Sequence, residues 1–169
     1  MTILVTGASG RVGQHVVKQL IKRDANVRVL TRDPATANFP DGVDVVKGDL
    51  LDIEALRHAF DGVTTLFLLN AVTGDEFTQA LITLNMAREA GVHHVVYLSV
   101  FNADKSVNVP HFAVKYGAER MLEHMGFSAT ILRPAYFIDN DLMIKDVILN
   151  HAIYPMPVGS KGVAMIDVR

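Results

Sequence analysis

With 169 residues, half of them hydrophobic, the chain is long enough for one domain with a sizeable core. Its formal net charge of −2, with no stretch dense in Lys or Arg, excludes the basic stripe that a nucleic-acid backbone requires, so no direct nucleic-acid partner is expected. Cysteine is absent, strand residues follow Met1 directly with no signal peptide expected ahead of them, and no apolar run approaches the roughly 20 residues that cross a bilayer; the expectation is a cytoplasmic chain without membrane contact.

Thr2 to Thr6 reads as a buried strand. The glycine turn Gly7-Ala-Ser-Gly10-Arg-Val-Gly13 follows, and then Val12, Val16, Val17, Leu20 and Ile21 recur at helical spacing. Gly7 would take backbone angles closed to other residues, Gly10 would admit a diphosphate, and Gly13 would let the helix pack close to the strand. Ser9, Arg11 and Val12 complete a turn whose helix start would hold an anion. The spacing is G-x-x-G-x-x-G, and its place between a strand and an amphipathic helix marks a nucleotide site.

Asn26 to Thr31 reads as a second strand, completing a βαβ unit. The residue after it is Arg32, which suits a 2′-phosphate and favours NADP(H), while Asp33 leaves NAD(H) open. Asp33-Pro34 opens a connection to a third strand, Val43 to Lys47. Asp49 and Leu50 then stand at the strand's carboxyl end as candidates for the adenine, and Asp52 would cap a helix from Ile53 to Phe60. Val63 to Leu69 reads as a strand buried on both faces, with Leu69 and Asn70 ending it near where a nicotinamide ribose would lie. A helix from Asp75 to Ala90 would present Phe77, Leu81, Leu84 and Ala87 or Arg88, with Gly91 as its cap. Val95 to Val100 is the fifth strand, and Ser99 lies near its crevice end. His93 and His94 are adjacent and so point apart, without the spacing of a metal pair, and no metal site is expected.

Pro110 opens a helix running to about Met125, on which residues four apart share a face, so that His111 sits over Lys115, Lys115 over Glu119 and Tyr116 over Arg120. A sixth strand, Ala129 to Arg133, follows, and Tyr136 and Phe137 turn off its end, where they would wall the nicotinamide or pack on a helix from Asp141 to Leu149.

Gly7-Ala-Ser-Gly10-Arg-Val-Gly13, Thr31-Arg32-Asp33-Pro34, Gly48-Asp49-Leu50, the His111-Phe112…Lys115…Glu119 helix and Leu132-Arg133-Pro134-Ala135-Tyr136-Phe137 together resemble the atypical short-chain dehydrogenase/reductases, and within them the NmrA-like family. The resemblance implies a doubly wound, Rossmann-type α/β domain with parallel strand order 3-2-1-4-5-6. It also implies one of two functions: hydride transfer from NADPH to a small quinone-like or aromatic acceptor, or non-catalytic redox sensing that regulates a partner protein. The Tyr-x-x-x-Lys pair of typical short-chain dehydrogenases is not kept, because His111 stands where Lys115 would require tyrosine. Lys115 would contact the nicotinamide ribose or act at the substrate, with His111 as proton donor, since imidazoles titrate near neutrality. Gly162 to Arg169 resembles the place where family members continue into a substrate-binding lobe, and His151 to Ser160 reads as irregular chain. The expected division is a dinucleotide domain at 1–150 and the start of a truncated lobe at 151–169, with a second copy or a regulated protein as candidates to cover the open crevice.

Overall fold

Strand β1 (Thr2–Val5) sends Leu4 into one apolar cluster and Ile3 and Val5 into another, which is the two-residue alternation of a strand covered on both faces. The computed structural model describes residues 1–35, 37–156, 159–160 and 162–169. From β1 the chain runs through α1 (Arg11–Ile21), β2 (Asn26–Thr31), β3 (Asp44–Lys47), α2 (Ile53–Ala59), β4 (Val63–Leu68), α3 (Glu76–Glu89), β5 (His94–Leu98), a short 3₁₀ turn at Ala103–Lys105, α4 (Pro110–His124) and β6 (Ser128–Leu132). The six strands pair in parallel in the order β3-β2-β1-β4-β5-β6, the order expected from the sequence. Strand and helix edges fall within a residue or two of the expected ones.

Helix α1 lays the fully buried Val17 on Ile3, Val5, Val27, Val29 and Phe67. On the opposite face Leu56 of α2, Leu84 of α3 and Leu122 of α4 pack with Leu30, Leu66, Leu68, Val95 and Tyr97. Arg28 ties the far edge together, with Nε 2.6 Å from Asp44 of β3 and Nη1 donating to the carbonyls of Ala59, the last residue of α2, and Asp61 beyond it. Among the described residues, no helix is long and apolar enough to cross a membrane.

Two helices depart from the sequence pattern. In α3 the buried stripe is Glu76, Ala80, Thr83, Leu84 and Ala87, whereas Phe77 is exposed and Leu81 half-buried. Small residues on that stripe let α4 come close, and the Thr83 hydroxyl is satisfied by the Gln79 carbonyl at 2.7 Å. Ala90 holds the C-cap of this helix, and Gly91, at φ +75°, follows it.

By packing, the chain forms two units, Met1–Arg133 and Pro134–Arg169, a division that falls earlier than the boundary after residue 150 suggested by the sequence. The second unit holds β7 (Tyr136–Phe137) paired in parallel with β8 (Met165–Ile166), a 3₁₀ segment Ile138–Ile144 and helix α5 (Lys145–His151). The expected helix from Asp141 to Leu149 is therefore half 3₁₀ and begins later as α-helix. The Asp141 carboxylate accepts from the hydroxyls of Tyr136 and Tyr154 at 2.8 and 3.0 Å. In the stretch expected to be irregular, Ala152 to Met156 has neither helix nor strand, and Pro157 and Val158 lie outside the described residues.

Asp52 caps α2 as expected, its Oδ1 accepting from the amides of Glu54 and Ala55 at 3.1 Å. Asp52→Ala should lower unfolding stability by about 1 kcal/mol, read as a reduced urea midpoint at unchanged slope.

Candidate active site at the carboxyl edge of the sheet

The turn after β1 is shaped by sterics. Gly7 sits at φ +61°, and a Cβ there would lie 2.2 Å from the Leu69 side chain and 2.8 Å from its carbonyl oxygen. A Cβ on Gly13 would lie 2.2 Å from the Gly7 carbonyl oxygen and 2.6 Å from the Ala8 Cα, so only glycine lets α1 start this close to the turn. Gly10 is the N-cap, with no side-chain cap and no acidic residue in the first turn of the helix. A helix start without a side-chain cap or a first-turn carboxylate is the kind of helix end that suits an anion. Thr6 pins this turn to the end of β4, its hydroxyl donating to the Leu69 carbonyl at 3.0 Å and accepting from the Leu69 amide at 2.9 Å. Gln14 donates to the Ser9 carbonyl at 3.0 Å, closing the turn. Because β1 lies between β2 and β4, this is the point where the chain's winding reverses and the sheet opens a crevice.

The sequence-marked residues line up along that edge. Val12 is half-buried in the first turn of α1; Arg11 and, at the end of β2, Arg32 are exposed. Asp33 accepts from the Ala35 amide at 3.2 Å. After β3, Asp49 accepts from the Leu51 amide at 2.9 Å, an Asx turn that holds the loop, and Leu50 packs partly against the α2–α4 core. Asn70, just beyond β4, is 6% exposed, yet neither its amide nitrogen nor its oxygen has a partner among the described residues. A buried primary amide without partners costs a few kcal/mol, so Asn70 is a group waiting for a ligand or an ordered water.

Beside β5 lie two carboxylate networks, and although Lys115 and Glu119 share a helix face they belong to different ones. Lys115, only 4% exposed, places Nζ 2.8 Å from Glu76 Oε1, donates to the Leu98 carbonyl at 2.9 Å, and stands 5.1 Å from the centre of the Tyr97 ring. The other Glu76 oxygen is 3.2 Å from Nδ1 of His111. Glu119 pairs elsewhere: Arg133 grips it with two hydrogen bonds, at 2.9 and 2.8 Å, and Ser99 donates to it at 2.5 Å. Arg133 is strongly attracted because a two-pronged guanidinium–carboxylate contact is the geometry this pair favours. Ser99, marked as a cofactor contact, therefore has its hydroxyl proton committed inside the protein. Tyr116 stacks with Arg120 at 5.0 Å. Tyr97 is fully buried, and its hydroxyl has no partner among the described residues; burial, and then the charges of Glu76 and Glu119, push its pKa well up and keep it a neutral phenol.

Sequence reasoning missed Glu76 and Tyr97. An acidic residue in a helix's first turn ordinarily signals only the helix dipole, and nothing local shows that this one is turned inward. His94, considered for metal, has both ring nitrogens near hydroxyls, Ser128 at 3.2 Å and Thr130 at 3.3 Å. Among the described residues no group of three His, Asp or Glu stands together to hold a metal ion. Tyr136 and Phe137, marked as a nicotinamide wall, belong to the second unit, where the hydrogen bond to Asp141, then burial and that carboxylate's charge, push the Tyr136 pKa up to about 12.

The sequence model of the NmrA-like family matches residues 1–157. The NAD(P)H azoreductase of Xenophilus azovorans is 29% identical over 171 residues, covering 99% of this chain and 59% of that protein. Quinone oxidoreductase 2 of Escherichia coli strain K12 is 30% identical over 166 residues, covering 95% and 56%. Its solved structure with NADPH matches at a TM-score of 0.79 and 28% identity over 90% of this chain and 55% of that one. The NADP(H) complex of Citrobacter sp. triphenylmethane reductase matches at 0.76 and 26% identity, also over 90% and 55%. The chain spans a little over half the length of these relatives.

Burial by itself would raise the Glu119 pKa, but hydrogen bonds from Arg133 and Ser99 and the positive charges of Arg133 and Arg120 outweigh it and hold the carboxyl below its ordinary range. A lowered native pKa stabilises the fold above the ordinary carboxylate range, and that stabilisation is lost as pH falls through the lowered value. Unfolding midpoints measured from neutral pH down into the acid range should therefore fall more steeply for the wild type than for Glu119→Gln, with the Gln variant the less stable at neutral pH.

Proposed function

The chain belongs to the NmrA-like family, and on that premise we propose that it binds NADP(H) at the β1–α1 turn and reduces a small quinone-like or aromatic acceptor. The observation that carries the reading is the buried, unpartnered Asn70 amide beside a glycine turn that leads into an uncapped helix start. The turn and the Asn70 amide stand at the carboxyl ends of the neighbouring strands β1 and β4, the edge of such a sheet that suits a dinucleotide. The names of the relatives, reductases of quinones and dyes that use NAD(P)H, support the same reading.

In this assignment the amides that follow Gly10, with Ser9, Val12 and Gly13 shaping the turn around them, hold the diphosphate, and Arg32 with Arg11 favours the 2′-phosphate. Asp49 and Leu50 take the adenine, while Leu69, Asn70 and Ser99 line the nicotinamide-ribose end. Residues 1–150 serve as the dinucleotide domain and 151–169 as the start of a substrate lobe. NADPH, when bound, supplies the hydride. Lys115 donates to the Leu98 carbonyl and stands in an ion pair with Glu76, and the two contacts together hold the side chain in a single orientation. His111, half-buried at the rim, is the proton donor. Little else is asked of the side chains, because hydride reduction of a quinone needs orientation, exclusion of water and one proton.

Purified chain should oxidise NADPH in the presence of a panel of quinones and azo or triphenylmethane dyes. Lys115→Ala should lower that rate at least about tenfold while cofactor fluorescence still reports binding. If NADPH binds and none is consumed with any acceptor, the reductase reading is withdrawn in favour of a sensor. Arg32→Ala should weaken NADPH about tenfold, roughly 1.4 kcal/mol, and leave NADH nearly unchanged, as titration calorimetry would show. Equal losses for the two cofactors would remove the phosphate role from Arg32.

A further inference from the structure

His111 and Lys115 approach the two oxygens of a single carboxylate. Glu76 is 2% exposed, with Oε1 2.8 Å from Lys115 Nζ and Oε2 3.2 Å from His111 Nδ1. A carboxylate paired with an ammonium has only lone pairs to offer, so the hydrogen in the second contact has to reside on Nδ1. Glu119, one helical turn beyond Lys115, is occupied by Arg133 and Ser99 and so does not compete for either group. The phenol of Tyr97, beneath Lys115, is kept neutral by burial and by the two nearby carboxylates. The histidine side chain keeps 29% of its surface exposed while the carboxylate keeps 2%, so the imidazole is the member of the pair that meets solvent.

We propose that Glu76 is a positioning residue that holds the neutral His111 ring in the Nδ1–H form, making Nε2 the atom that gives up and regains a proton. The use made of that proton rests on the reductase reading above. In the proposed reaction the imidazolium gives its Nε2 proton to the acceptor oxygen, the hydride being what a bound NADPH would supply. The Nδ1–H bond to Glu76 is kept, and water returns the proton to Nε2. Glu76 and Lys115 keep their charges throughout, so a buried site gains no unpaired ion during turnover. The same logic, a carboxylate fixing the tautomer of a general acid–base histidine, operates in hydrolytic triads.

In Glu76→Gln the lysine would take the amide oxygen, which turns the amide NH₂ toward His111 and forces Nδ1 to accept; the ring proton then moves to Nε2. The test is a long-range ¹H–¹⁵N correlation spectrum of the full, labelled chain at about pH 8.5, above the ordinary imidazole range, with the His111 signals identified by their loss in His111→Gln. The expected result is the Nδ1–H pattern in the wild type and in Glu76→Asp, conversion to Nε2–H in Glu76→Gln, and a fall in kcat of at least about tenfold in the Gln variant with KM for NADPH within about twofold. An Nε2–H pattern in the wild type, or a pattern unchanged by Glu76→Gln, overturns the inference. Should the Gln variant fail to fold, the wild-type and Glu76→Asp spectra decide it. An Nδ1–H wild type that consumes no NADPH would sink the reductase reading while the hold of Glu76 on His111 stands.

Discussion

An ammonium group taken out of water has to be paired, and the arrangement around β5 follows from that requirement. Lys115 is almost wholly buried, where an unpaired charge would be prohibitive, and removing one partner of such a pair typically costs about 3–5 kcal/mol. Its counter-charge comes from the first residue of α3 rather than from its own helix. The pairing fixes how α3 and α4 lie against each other, and it fixes the depth at which Lys115 stands below the carboxyl edge of the sheet. It also leaves the second oxygen of Glu76 to hold the histidine, so one desolvated carboxylate orders both side chains that the proposed chemistry requires.

The second constraint is one of distance. Gly13 brings the start of α1 against the carbonyl of Gly7, closer than any Cβ would permit, and Thr6 joins the same turn to the end of β4. These contacts aim an uncapped helix start at the opening between β1 and β4. Asn70 leaves β4 at that opening with its amide buried and unanswered. The amide turn and the Lys115 cluster thus belong to one rigid sheet edge, a sounder base for a site than mobile loops would be.

Helix α4 carries both carboxylate networks on neighbouring turns. Lys115 reaches across to α3, while Glu119 reaches Ser99 after β5 and Arg133 after β6. The helix acts as a strut, clamped on one side to its neighbouring helix and on the other to the last two strands. In the second unit a single carboxylate has a similar organising part, since Asp141 collects the Tyr136 and Tyr154 hydroxyls and the segment around it winds as 3₁₀ helix before α5 begins.

Local chemistry made most of the fold legible from the chain alone. The glycine turn, the alternation of strands and helices, the Asp52 cap and the apolar strands depend on sterics and periodicity over a few residues, which mark the elements, while the strand order is what the family resemblance implies. The glycine turn, Arg32 and Asn70 could be marked as candidates because the ends of strands in such a sheet face the crevice, and His111 and Lys115 from their spacing on one helix and the family resemblance. Charge partners could not be read in this way. Spacing on α4 suggested Lys115 with Glu119, yet each found a partner elsewhere, and Glu76 lies 35 residues before the histidine it contacts. The inward stripe of α3 escaped for the same reason, since a buried glutamate breaks the apolar pattern and is tolerated only because a distant lysine pairs with it. Sequence determined where the backbone turns and which edge of the sheet is the working edge; the tertiary structure decided which ion meets which, because burying a charge is settled by whatever opposite charge the packing brings within 3 Å of it.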